Sequence, residues 1–192
     1  MIKINIKRKI IILLAIATLI SIVNASVFVY YPVTLKISPQ QPPVVFREGT
    51  NAGQPDLWGK TITVNIGNEG TSLEITVHPT LQRNYYYNLT EIVSQDSSNT
   101  YYIKFRVTRV INDVRVNTAY LIINSTDYQY QIDLKTTGLQ PNNWISLQTG
   151  GKLRVDLYLE LSGYSGDDIS ASVDLIITTT QTTETPPEPL SS

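Results

Sequence analysis

Hydrophobic and polar positions alternate with a period of two along most of the chain. Ile62, Val64 and Ile66 interleave with Thr61, Thr63 and Asn65, and Leu73, Ile75 and Val77 with Ser72, Glu74 and Thr76. Ile103, Phe105 and Val107 do the same with Lys104, Arg106 and Thr108. The pattern returns at Tyr128, Tyr130, Ile132 and Leu134, at Leu153, Val155, Leu157, Leu159 and Leu161, and at Val173, Leu175 and Ile177. One apolar and one polar face per segment predicts half-buried antiparallel strands. Turn residues separate them at Gly67–Gly70, Asn124–Asp127 and Thr149–Lys152, and Ser162–Asp168 reads as a Gly-rich loop. Many short strands at this spacing predict an all-β body, a single antiparallel β-sandwich of Ig-like or jelly-roll-like type over residues 44–178.

The most distinctive pattern precedes that body. In SVFVYYPVTLKISPQQPPVVF, the odd positions Val27, Val29, Tyr31, Val33, Leu35 and Ile37 are all apolar, while the even positions are mixed. This predicts an 11-residue strand, about 36 Å long at roughly 3.3 Å per residue. Ser38 to Pro43 follows with three prolines in six residues. It predicts a stiff, extended connector of about 19 Å. Residues 26–43 therefore form a strand and connector distinct from the body. A strand with one wholly apolar face needs a groove. Two grooves are open to it: one in its own sandwich, the other in a neighbouring subunit, which is strand donation. Donation is head-to-tail and, repeated, gives a filament. Pro32 lacks an N–H and would break the ladder on one side, so such a strand must bend there or sit with that side unpaired.

The first 25 residues read as an address. Lys3, Lys7, Arg8 and Lys9 precede an apolar run from Ile10 to Val23, and Val23-Asn24-Ala25 offers a cleavage point before Ser26. A run of 14 residues is shorter than the roughly 20 needed to span a bilayer, and the arrangement fits a secretory signal peptide. An uncleaved signal anchor and a pilin-type leader are the alternatives. The other end, residues 179–192, is rich in Thr and Pro and nearly free of apolar residues. It is expected to be a flexible tail, either O-glycosylated or an ordinary frayed terminus.

Composition narrows the chemistry. Of 192 residues none is cysteine and one, His78, is histidine. That excludes a disulfide framework and a Cys/His zinc site, and any Ser-His-Asp triad would have to use His78. Loss of residues 1–25 removes four of the 15 basic residues and none of the 16 acidic ones, leaving a net charge near −5. A negative body lacks the basic footprint of a nucleic-acid binder and is not drawn to anionic lipid, so neither nucleic acid nor membrane is expected as a partner of the mature form. Charged residues are scarce and no catalytic loop stands out. The reading is non-enzymatic, with no catalytic residue, cofactor or metal assigned.

Sequons at Asn88-Leu89-Thr90 and Asn124-Ser125-Thr126 make Asn88 and Asn124 candidate N-glycosylation sites. The tyrosine clusters Tyr30-Tyr31, Tyr85-Tyr86-Tyr87 and Tyr101-Tyr102 suit packing or an interface more than sugar stacking. Asp167-Asp168 could supply oxygen ligands to calcium but stands in no EF-hand spacing, and a solvated loop is the simpler reading. His78 before Pro79 reads as a capping or surface histidine.

Taken in order, the leading run SVFVYYPVTLKISPQQPPVVF, Gly49-Thr50-Asn51-Ala52, Ile75-Thr76-Val77-His78-Pro79 and Tyr85-Tyr86-Tyr87-Asn88-Leu89-Thr90 resemble secreted surface proteins of thermophilic archaea. These include subunits of extracellular threads and, more distantly, bundling pili. The resemblance covers most of residues 1–135. It implies a glycosylated β-sandwich subunit, secreted to the cell surface, whose N-terminal strand completes the sheet of the next identical subunit. Carried over, the donor role falls on Val27, Val29, Tyr31, Val33, Leu35 and Ile37. The other expectation is a secreted cell-surface or S-layer-associated binding module with that strand in its own sheet.

Overall fold

The computed structural model describes residues 5–23, 31–164 and 166–184. The chain divides into a leading unit, Met1–Pro39, and a body, Gln40–Ser192.

In the leading unit, the apolar run forms helix α1, Ile6–Val23. Among the described residues no helix is long and apolar enough to cross a membrane. Residues 31–39 adopt neither helix nor strand. Tyr31, Val33, Leu35 and Ile37 are between 75% and 89% exposed. Val27, Val29 and the expected cleavage point after Ala25 lie outside the described residues.

The body is all-β. Its strands are β1 (Val44–Glu48), β2 (Thr63–Gly67), β3 (Ser72–Thr76), β4 (Gln82–Ser94), β5 (Tyr101–Arg109), β6 (Val116–Asn124), β7 (Gln129–Asp133), β8 (Gly138–Leu147), β9 (Lys152–Leu161) and β10 (Ser172–Thr178). A five-stranded sheet runs β1-β4-β9-β6-β7, a three-stranded sheet runs β10-β5-β8, and β2 and β3 form a separate hairpin. All the pairings are antiparallel. The predicted turns fall between β2 and β3, between β6 and β7, and between β8 and β9.

The two larger sheets face each other across one core. Val44, Ile92, Ile123, Ile132, Leu153 and Val155 from the five-stranded sheet pack with Tyr101, Ile103, Phe105, Val107, Ile145 and Leu147 from the three-stranded one. Farther along β9, Leu157, Leu159 and Leu161 continue the apolar face beyond the small sheet. There Ile62, Ile111 and Leu134 join them, with Ile75 and Val77 of the hairpin region partly buried against the same cluster. The nine-residue alternation of β9 therefore serves two adjoining core regions.

Four strands, β1, β4, β6 and β8, lie where the sequence shows no clean alternation. In β4 the register runs Tyr86 opposite Leu157 and then Thr90 opposite Val155. Tyr87, Asn88 and Leu89 thus stand against Asp156 alone. This bulge adds two residues, so the inward parity is kept, with Asn84 and Tyr86 before it and Thr90 and Ile92 after it opposite core residues of β9. Two of those four are polar and Leu89 within the bulge is buried as well, so no clean apolar alternation shows along the strand. β6 and β8 also carry register shifts against their neighbours. Pro141 sits in β8, an edge strand of its sheet, where a missing N–H is tolerated.

Candidate functional site

Two places in the body depart from ordinary sandwich packing. The first is a polar centre on the outer face of the five-stranded sheet. The odd-numbered leucines and valine of β9 face the core, so Asp156, between Val155 and Leu157, points to the opposite face. It is nonetheless wholly buried. Asp156 Oδ2 accepts from Tyr85 Oη at 2.5 Å and from Asn124 Nδ2 at 2.8 Å, and Oδ1 accepts from the Asn88 backbone N–H at 2.6 Å. Arg154, two residues earlier and so on the same face, grips both oxygens. Its Nε lies 3.0 and 3.2 Å from them, and its Nη2 donates to Oδ2 at 3.0 Å. The guanidinium also stands 4.2 Å from the centre of the Tyr87 ring and donates to its hydroxyl.

The bulge in β4 makes this arrangement possible. Asn88 has a positive φ of 44°, a conformation that asparagine tolerates better than most residues. Its N–H goes to the Asp156 carboxylate, and its carbonyl accepts from Asn51 N–H at 3.1 Å. Leu89 O accepts from Gly49 N–H at 3.0 Å. A Cβ on Gly49 would sit 2.0 Å from Asn88 O, so no larger residue fits without moving the bulge. Gly49-Thr50-Asn51 thus fastens the bulge from one side and Asp156 from the other.

Electrostatics follow the geometry. Burial, then the hydrogen bond to Asp156, pushes the Tyr85 phenol above its ordinary range. The hydrogen bonds to Asp156 raise the Arg154 guanidinium further. Tyr86, on the core side, is pushed up to about 12, chiefly by burial and then by the charge of Asp56. In the β4–β5 connection, Asp96 is held down to about 2 by the Tyr101 hydroxyl, then by Asn99 and the Ser98 N–H.

Both sequon asparagines belong to the polar centre. Asn88 is 6% exposed, its Nδ2 donates to Thr50 Oγ1 at 3.0 Å, and its Oδ1 is buried with no partner. Asn124 ends β6 at the predicted turn, with its Nδ2 on Asp156 and its Oδ1 accepting from Gln129. In the folded body the nitrogens that would carry glycans are already engaged. Asp156 itself was not singled out from the sequence. Its one available signal is an acidic residue within a long apolar alternation, two positions from an arginine.

His78 follows β3, and its Nδ1 lies 2.9 Å from Asp56 Oδ2. The other Asp56 oxygen accepts from the Trp58 and Lys60 N–H groups. Among the described residues, no serine hydroxyl bonds to His78, and no group of three or more His, Asp or Glu side chains is placed to hold a metal ion.

The second departure is the free edge of β10. Val173, Leu175 and Ile177 pair with Val107, Phe105 and Ile103 of β5 and so face the same, core side. The three β5 residues are at most 4% exposed, whereas Val173 and Leu175 are half-buried and Ile177 is 38% exposed. After β10 the chain turns onto the outer face of the small sheet. There Thr182 O accepts from the Trp144 indole, and Lys104 stands over that ring.

No protein-family model matches this chain, and no curated protein matches it.

Proposed function

We propose that this protein is a structural subunit of an extracellular archaeal filament, secreted and assembled head-to-tail from identical copies. Each copy gives its segment Val27–Ile37 to the sandwich of the next. A filament built this way serves adhesion or biofilm cohesion, and glycans on its surface belong to the same reading.

One observation carries it. In the single chain Tyr31, Val33, Leu35 and Ile37 alternate strictly, hold no strand conformation and stand almost fully exposed. Burying each such side chain is worth about 1.5–3 kcal/mol, while ordering each residue costs about 1–2 kcal/mol. The two nearly offset each other over these seven residues. Ladder hydrogen bonds along a sheet edge, at about 0.5–1.5 kcal/mol each, then decide for association, and Val27 and Val29 extend the gain.

The test compares residues 26–192 with the same chain lacking Val27–Ile37, by size exclusion and negative-stain microscopy. Polymers from the first and monomers from the second are expected. A discrete monomer from the first chain, with its leading segment protected from hydrogen exchange, contradicts donation and favours the surface-module reading.

A further inference from the structure

We infer that the acceptor is the free edge of β10, and that the donated segment joins it as a new edge strand with the Pro32 side of its backbone facing solvent. This inference rests on the filament reading. The other three edges of the two larger sheets are less suited. β7 and β8 end their sheets on the side where those two strands lie near each other, and β8 carries Pro141. β1 has Gly70 packed against Val45, close enough that a Cβ on Gly70 would lie 2.8 Å from the Val45 Cβ. β10 is seven residues long. Its inward side chains are left partly uncovered beside fully buried neighbours, so the core is open along its outer side.

The occupant is a second copy's Tyr31–Ile37. It matches β10 in length and in alternation, four inward apolar positions against Val173, Leu175 and Ile177. Lys36 and Asp174 both fall on outward positions, where opposite charges on neighbouring strands attract.

Pro32 then fixes how the segment lies. Along a strand, the N–H and C=O of one residue point to one lateral neighbour and those of the next residue to the other. Pro32 belongs to the even set with Thr34 and Lys36. An edge strand uses only one set for its ladder, and proline is accommodated on the other. The odd residues therefore both face the core and bond to β10. A strand placed between two acceptors would use both sets and lose a bond at Pro32.

Proline substitution in residues 26–192 tests this. Thr34→Pro should polymerise close to the unsubstituted chain. Leu35→Pro should lower polymer yield at least tenfold below Leu35→Ala, which lacks the same side chain but keeps the N–H. The absence of cysteine allows a second test. Leu35→Cys combined in turn with Val173→Cys, Leu175→Cys or Ile177→Cys should give an intermolecular disulfide ladder for at least one pair. Combination with Asp174→Cys, which faces outward, should give none. If Thr34→Pro blocks assembly as fully as Leu35→Pro, the segment is a central strand and the inference falls. It also falls if polymers form but none of the three pairs links, or if the disulfide closes within one chain. An unsubstituted chain that never polymerises overturns donation itself.

Discussion

On the outer face of the five-stranded sheet, a fully buried carboxylate receives hydrogen bonds from Tyr85, Asn88, Asn124 and Arg154, all in the same body. At the edge of the three-stranded sheet, Ile177 lies exposed beside Ile103, which is wholly buried. The polar demands at Asp156 are met within one chain, while the apolar demand at β10 is not. The two costs explain the asymmetry. A buried charge left unpaired costs several kcal/mol, so it must be satisfied as the body folds. A strip of half-covered aliphatic surface costs far less and can wait for a partner.

The comparison can be broken at its closed end first. Asp156→Ala removes the acceptor and leaves Arg154 and the Asn88 N–H without it. A loss of about 3–5 kcal/mol is expected in urea unfolding of the body. A smaller loss would mean that water replaces the carboxylate. The open end is sharpened by one substitution made on two neighbouring strands. Ile103→Ala should cost about 2–5 kcal/mol, and Ile177→Ala below about 1 kcal/mol in the monomer, because much of its side chain already meets water. In the filament the two should cost nearly the same. Equal losses in the monomer would show that the β10 edge is already covered.

The smallest effect concerns acid. Asp96 is held down to about 2 in the folded chain. A depressed carboxylate adds stability that is present above its unfolded pKa and lost as pH falls through its folded one. Stability should therefore decline between about pH 4 and pH 2, and Asp96→Asn should flatten that part of the curve in thermal melts.

What the sequence made legible follows the same division. The alternating strands β2, β3, β5, β7, β9 and β10 could be read directly, because in each of them apolar residues hold every second position without interruption. β4 could not. Its inward set of Asn84, Tyr86, Thr90 and Ile92 is half polar, and the bulge at Tyr87-Asn88-Leu89 buries Leu89 out of turn, which hides the periodicity. The Asp156 centre was equally hidden. It depends on that bulge and on contacts across 68 and 71 positions in sequence, and no local pattern encodes those. The sequons at Asn88 and Asn124 mark the right strands, yet the Asn124 side chain bonds to Asp156 and that of Asn88 to Thr50. The leading segment was legible as an apolar alternation, but a pattern within one chain does not specify whose sheet it enters.

The most direct measurement is the melting of the body lacking Val27–Ile37, with and without a synthetic peptide of that sequence. The filament reading predicts that the peptide, unlike a scrambled one, raises Tm by several degrees and protects the amides of β10 from exchange. No change in either quantity at saturating peptide would contradict it.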